Sequence, residues 1–255
     1  MLGALAVCGV ALVARAVYLQ VIDQDFLEKQ GDARILRTAK LSANRGMVLD
    51  RNGEALAVST PVDTIWADPR KLAQVPQEFP RLAKALDRDP QWLARRVTSS
   101  LDREFIYLVR HMRPQDAAKV KALGIPGVET MREYRRYYPA GEVTGHLLGF
   151  TNVDDVGQEG LELAFDQWLG GQPGQKLVMR DSLGRTIEDI ERISAPRPGQ
   201  DLRTSIDLRV QYLAYRELKA AVQANHARSG SVVVIDIPTG EVLAMVNQPA
   251  FNPND

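Results

Sequence analysis

Apolar side chains crowd the first 22 residues and are dispersed thereafter. From Met1 to Ile22 the only strongly polar residues are Arg15 and Gln20. A membrane-spanning helix needs about 20 mostly apolar residues. Arg15 lies near the end of the run, where its stem can snorkel toward an interface that also suits Tyr18. Leu2, Leu5, Val7, Val10, Leu12 and Val13 would face lipid. An uncleaved anchor ranks above a cleaved signal peptide, because the small-x-small site Ala14-Arg15-Ala16 is interrupted by arginine. It also ranks above a buried core helix, which would show a polar face. The basic flank that would orient the segment is absent from the sequence.

Beyond Asp23 the pattern alternates between elements and turns. Asp23–Lys40 mixes four acids with four bases and reads as a connector. Met47–Leu49, Asp50-Arg51-Asn52-Gly53 and Ala55–Val58 predict strand, tight turn, strand, since Asn and Gly both tolerate positive φ. Phe79–Leu101 predicts one or two helices broken near Asp89-Pro90, and Phe105–Val109 a strand. Pro114–Leu123 predicts a short helix with Pro114 in its first turn and Gly124 at its end. Leu161–Leu169 predicts a helix closed by Gly170-Gly171. Residues 175–206 are rich in strand formers around a turn at Asp181–Gly184, and Pro196–Gly199 is a connector. Asp207 opens a long helix whose buried face would carry Leu208, Tyr212, Tyr215, Leu218 and Val222. Ser231–Ile237 and Val242–Val246 form a hairpin. Val232–Ile235 does not alternate, the pattern of a strand covered on both faces, so the hairpin is expected to open a sheet whose remainder lies outside the chain.

Composition narrows the function classes. Hydrophobic residues at 45% and charged residues at 25% exclude a wholly disordered chain. Thirty-two basic residues balance thirty-two acidic ones, so no global positive field draws the chain to nucleic acid. The basic and aromatic run Arg132–Tyr138 reads as a strand with packed and solvated side chains rather than a nucleic-acid platform. Cys8 is the single cysteine, which excludes an intrachain disulfide. His111, His146 and His226 lie far apart without metal-ligand spacing. Neither a phosphate loop nor a dinucleotide fingerprint nor a nucleophile elbow occurs, and no metal or cofactor is expected.

Several segments then fall in a recognisable order. They are Arg45-Gly46-Met47-Val48-Leu49-Asp50-Arg51-Asn52-Gly53, then Arg136-Tyr137-Tyr138-Pro139, then Gly157-Gln158-Glu159-Gly160-Leu161-Glu162 leading to Phe165-Asp166 and Leu169-Gly170-Gly171. Gly230–Asp236 and Thr239–Met245 complete the set. Together they resemble the class B penicillin-binding proteins, and among these the division-type peptidoglycan D,D-transpeptidases, over nearly the whole chain.

The resemblance implies an α+β architecture: a transmembrane anchor at residues 1–22, an elongated mixed α/β noncatalytic pedestal of the dimerisation type at 23–203, and the first helix and hairpin of a truncated β-lactamase-like transpeptidase domain at 204–255. It implies an inner-membrane protein with its body in the periplasm. Its partners would be the lipid-linked glycan polymerase and other division proteins. Peptidoglycan stem peptides and β-lactams would be bound only by the intact enzyme, through an acyl-serine. The family's chemistry uses Ser-x-x-Lys, Ser-x-Asn and Lys-Thr/Ser-Gly. No serine here has lysine three residues on, no Lys-Thr-Gly or Lys-Ser-Gly occurs, and Ser42-Ala43-Asn44 precedes the pedestal motifs. The nucleophile is therefore expected beyond Asp255. The alternatives are a noncatalytic periplasmic scaffold, and an elongation-type or β-lactam-sensing relative.

Within the pedestal, Arg45, Asp50, Arg51, Arg136, Glu159 and Glu162 stand beside Gly46, Gly53, Gly157 and Gly160 in otherwise apolar or turn-like motifs. The resemblance implies that the motifs meet through ion pairs, against the alternative of six solvated charges each worth little.

Overall fold

A computed structural model describes residues 36–180 and 186–255. The proposed anchor at 1–22 and the turn at 181–184 lie outside the described residues. Among the described residues no helix is long and apolar enough to cross a membrane. The chain divides into two compact units, one drawing on residues 36–39, 175–180 and 186–193, the other on 40–174 and 194–255.

The chain enters through β1 (Leu36–Leu41). In the larger unit, β2 (Val48–Leu49) pairs antiparallel with β3 (Ala55–Ala67) across a turn. Gly53 takes φ +91° in that turn, and the Asp50 carboxylate accepts from the Asn52 and Glu54 amides at 2.7 and 2.8 Å. The thirteen residues of β3 span about 43 Å at roughly 3.3 Å per residue, long enough to serve two cores.

The C-terminal half of β3 organises the first lobe. Four helices follow the pattern of caps and prolines: α1 (Pro69–Leu72), α2 (Phe79–Ala85), α3 (Pro90–Thr98) and, after β4 (Ile106–Met112), α4 (Pro114–Ala122). The break predicted at Asp89-Pro90 is an N-cap, with Asp89 accepting from the Gln91 amide at 2.6 Å. β4 and β5 (Val128–Tyr137) flank β3 antiparallel, placing Trp66 opposite Tyr107 and Glu129. Ile65, Leu72, Leu82, Leu93, Val97 and Ile106 are buried between sheet and helices. Each such aliphatic side chain contributes about 1.5–3 kcal/mol by leaving water.

The other end of β3 serves a smaller core, made by Val48, Leu56, Ala57, Tyr138, Leu148 and Leu169. It is closed by α5 (Gly145–Leu148), α6 (Gly160–Ala164) and α7 (Asp166–Leu169). Leu161–Leu169 is therefore two short helices rather than one. Phe165 leaves helical geometry at φ −112°, ψ 24°, and Asp166 opens a new turn with its carboxylate on the Gly157 amide at 2.8 Å.

β6 (Gly174–Arg180) and β7 (Thr186–Ser194) form a three-stranded sheet in the order β1-β6-β7. β8 (Leu202–Arg203) returns to pair parallel with β2. Asp207 then caps α8 (Leu208–Ala224), accepting from the Arg209 amide at 3.0 Å. β9 (Gly230–Ile235) and β10 (Val242–Gln248) complete the antiparallel hairpin.

One expectation is corrected here. The face of α8 that turns inward runs Leu208, Gln211, Tyr215, Leu218, Val222, so Gln211 replaces Tyr212 in the stripe. Gln211 is buried because its amide group satisfies main-chain sites that no apolar side chain could. It donates to the Val143 and Met245 carbonyls, both at 2.9 Å, and accepts from the Met245 amide at 2.8 Å. Tyr212 is left 55% exposed. β9 alternates half-buried and exposed positions, with Val233 and Ile235 on its exposed face.

Candidate functional site

The three motif segments converge on one buried carboxylate. Glu162, on α6, has no exposed surface, and its two oxygens are shared between two arginines. Arg45 Nε donates to Oε2 and Arg136 Nε to Oε1, each at 2.7 Å. Arg45 stands before β2 and Arg136 near the end of β5, so the clamp joins three segments remote in sequence.

Both guanidiniums are used further. Arg45 donates to the Glu162 carbonyl at 2.9 Å, to the Asp155 carbonyl at 3.1 Å and to Asp166 Oδ1 at 2.7 Å. Arg136 donates to the Gly46 carbonyl at 2.7 Å and to Ser59 Oγ at 3.2 Å. Burial works against the Arg45 charge, but Glu162 and Asp166 outweigh it and raise its pKa. Glycine permits the close approach: a Cβ on Gly46 would collide with the Gln200 carbonyl, and one on Gly157 with that of Glu162.

Asp155 completes the cluster in an unusual state. Its backbone is left-handed at φ +62°, and its Oδ1 is buried without a hydrogen-bond partner among the described residues. Burial pushes the carboxyl up to about 6 despite the nearby Arg45 and Arg136. Arg136 Nη2 is likewise buried without a partner. The same loop is held from its other side by Arg110 on β4, which donates to Asp154 Oδ1 at 2.8 Å and to the Val153 carbonyl at 3.2 Å. Arg110 is itself paired with Glu133 at 3.0 Å, and Glu133 also accepts from the Thr64 hydroxyl. His111, 3.8 Å from Glu133, has its pKa lowered chiefly by burial. β5 therefore buries charge on both faces, Glu133 on one and Arg136, three residues on, on the other.

The remaining motif residues sit elsewhere. Asp50 is buried but serves its own turn and the Leu208 amide at 3.2 Å. Main-chain donors at Glu54, Leu208 and Asn52 outweigh its burial and lower its pKa. Arg51 is exposed and pairs with Glu241 on the hairpin at 3.3 Å. Glu159 is exposed, and its role is backbone: Gly149 and Gly160 press main chain against main chain beside its carbonyl. Tyr138 is 2% exposed, and its hydroxyl accepts from the Thr151 amide at 3.1 Å. Its main chain is matched by Asn254, which accepts from Tyr138 N and donates to Tyr138 O, both at 2.9 Å. Pro139 is exposed beside a cleft.

Of the six charges expected to meet, the structure brings together Arg45, Arg136 and Glu162 and adds Asp166 and Asp155. Asp166 was visible within a motif but not as a ligand of Arg45. Asp155 carried no signal, because its loop reads as an ordinary turn. Asn254 lay in a segment without periodicity. Every charge of the central clamp is engaged, so the arrangement braces the fold and presents no nucleophile. Among the described residues no three His, Cys, Asp or Glu side chains are grouped as a metal site requires.

Residues 40–204, which hold the whole clamp, match the family described as "Penicillin-binding Protein dimerisation domain". The chain is 48% identical over 249 residues to peptidoglycan D,D-transpeptidase FtsI of Escherichia coli K12, covering 96% of this chain and 42% of that protein. It is 44% identical over 245 residues to the probable peptidoglycan D,D-transpeptidase PbpC of Pseudomonas aeruginosa, covering 96% and 43%. It thus spans about two-fifths of the length of these relatives. Among solved structures, the complex between penicillin-binding protein PBP2 and MreC from Helicobacter pylori is similar in fold, with TM-score 0.63 and 22% identity over 87% of this chain and 44% of that one. With the motifs meeting inside the matched region, the chain belongs to the penicillin-binding proteins, in their class B, FtsI-like branch.

Proposed function

We propose that this chain is the tethered stalk of a division-type peptidoglycan D,D-transpeptidase. In this reading residues 1–22 anchor it in the inner membrane, residues 23–203 form a periplasmic pedestal, and residues 204–255 begin the transpeptidase domain. The acylating serine, the stem-peptide substrates and the β-lactam target belong to sequence outside these 255 residues. The stalk has a mechanical task. It sets the position of the catalytic domain above the membrane and offers surfaces to a lipid-linked glycan polymerase and other division proteins. A fold-level relative was solved with MreC bound, which supports a pedestal that receives partner proteins.

The observation that carries the reading is the Glu162 clamp, in which all three pedestal motifs close on one carboxylate. Buried ion pairs of this kind fix geometry more than they add stability, as a stalk requires.

The test is a graft. Residues 1–255 replace the matching part of Escherichia coli FtsI in cells depleted of their own copy. The chimera is expected to accumulate in the membrane, to take a fluorescent penicillin label and to restore septation, while the 255-residue chain alone takes no label. The Glu162→Ala chimera is expected to lose septation. A chimera that labels normally but never divides, or a wild-type septation rate with Glu162→Ala, would overturn the proposal.

A further inference from the structure

Residues 249–255 follow β10 and lie against the pedestal segment 135–150. The Pro249 carbonyl meets His146 Nε2 at 2.9 Å. The Phe251 ring stands edge-on to His146 and Phe150, with centroids 5.0 and 6.2 Å away. A Cβ on Gly145 would come within 2.4 Å of the Phe251 carbonyl oxygen, so glycine is what lets the two main chains touch. Arg135 donates to the Asn254 carbonyl at 3.3 Å.

Asn254 makes the most specific of these contacts. A carboxamide carries both a donor and an acceptor, and Asn254 turns both on Tyr138, one residue past the end of β5. It accepts from Tyr138 N and donates to Tyr138 O, each at 2.9 Å, as a paired strand would. The carboxamide is itself held: Asn254 N and Nδ2 both donate to Asn252 Oδ1, at 3.2 and 3.1 Å. Two residues before Tyr138, Arg136 is fixed on Glu162 at 2.7 Å. The same short stretch of chain is therefore gripped by the clamp through a side chain and by Asn254 through its main chain.

We infer that Asn254 is a positioning residue of the transpeptidase, fixing through Tyr138 the path of the chain that runs on toward the acylating serine. The inference rests on the stalk reading, in which that serine follows Asp255. Asn254 reaches the reaction only through the backbone it holds, so its loss misplaces the reacting group without removing it. A misplacement of about 1 Å can cost about 100-fold in rate. The His146 and Gly145 contacts remain when Asn254 is replaced, so a smaller loss, about tenfold, is expected.

The test uses the graft in which residues 1–255 replace the matching part of Escherichia coli FtsI. The rate of acylation by a fluorescent penicillin and the fraction labelled at completion are measured separately, with hydrogen exchange at the Tyr138 amide. In Asn254→Ala the rate is expected to fall about tenfold, the final labelled fraction to stay as in the unsubstituted chimera, and the Tyr138 amide to exchange faster. Asn254→Asp keeps the acceptor for that amide and is expected to recover its protection and part of the rate. An unchanged rate in Asn254→Ala, beside an unsubstituted chimera that labels, would overturn this inference and leave the stalk reading standing. A lower final fraction at an unchanged rate would assign Asn254 to stability alone and overturn it equally. An unsubstituted chimera that takes no label would overturn the stalk reading, and the inference with it.

Discussion

The two lobes strung along β3 are held together by different physics. The first buries a continuous aliphatic cluster between sheet and helices, with Leu72, Leu82, Leu93 and Val97 fully enclosed. The second encloses few apolar side chains and places Arg45, Glu162 and Arg136 beside them. Hydrophobic contact is non-directional, so the first lobe tolerates repacking of its interior. Charges joined at 2.7 Å tolerate little displacement. The lobe with the weaker apolar core is thus the one with the more tightly specified geometry.

Removing Glu162 should separate these regimes most clearly. Glu162→Ala leaves two buried guanidiniums without their shared anion, and breaking a buried pair costs about 3–5 kcal/mol. A drop of about 10 °C or more in melting temperature is expected by calorimetry. The triple replacement Arg45→Met, Glu162→Leu, Arg136→Met should be less damaging than Glu162→Ala alone, because no stranded charge remains. A wild-type midpoint for Glu162→Ala would show that the clamp does not hold the lobe.

The matching change in the first lobe is Leu93→Ala, expected to cost about 2–5 kcal/mol through lost transfer energy and a residual cavity. In denaturant unfolding it should lower stability while leaving the Glu162 region's hydrogen-exchange protection above that of the α3 helix. Equal loss of protection in both lobes would mean that the two cores unfold as one unit.

The same contrast explains what the sequence revealed. The first lobe was legible from local rules: proline after aspartate marked α3 and Pro114 in its first turn marked α4, while in the second lobe only the Asn-Gly turn that sets β2 against β3 was local. The second lobe depends on contacts between residues 26 to 121 positions apart, which no period records. Arg45, Arg136 and Glu162 could be singled out because they sit beside glycines within motifs that resemble a family. Asp50, Arg51 and Glu159 share those motifs yet stand outside the clamp, since adjacency in sequence does not fix where a side chain turns. Gln211 shows the converse. Periodicity treated a glutamine as surface, whereas three main-chain bonds made it the buried member of the α8 stripe.

Asp155 offers a smaller effect with a sign of its own. Its folded pKa of about 6 lies above the ordinary carboxylate value near 4. The folded state therefore binds the proton more tightly, and this group's contribution to stability falls as pH rises from about 4 to 6, then levels off. Asp155→Asn, which keeps the left-handed backbone accessible, should raise stability by about 1–2 kcal/mol at pH 7.5 and by nearly nothing at pH 4. A stabilisation equal at both pH values would show that the carboxyl is not held protonated by burial.

The smallest effect is expected where the clamp's chemistry recurs in solvent. Arg51 and Glu241 join the β2–β3 turn to the terminal hairpin at 3.3 Å, with both side chains about 40% exposed. The pair has the same charges as Arg45 and Glu162 and is likewise remote in sequence, 190 positions against 117, so it probes the role of burial. Water and salt screen it, and ordering two long side chains offsets part of the attraction. A double-mutant cycle of Arg51→Ala and Glu241→Ala should give a coupling below about 0.5 kcal/mol that fades in 1 M salt. A coupling above about 2 kcal/mol would move Arg51 back into the structural network that its motif suggested. The difference between the lobes would then lie in where charges sit along the sequence and not in how deeply they are enclosed.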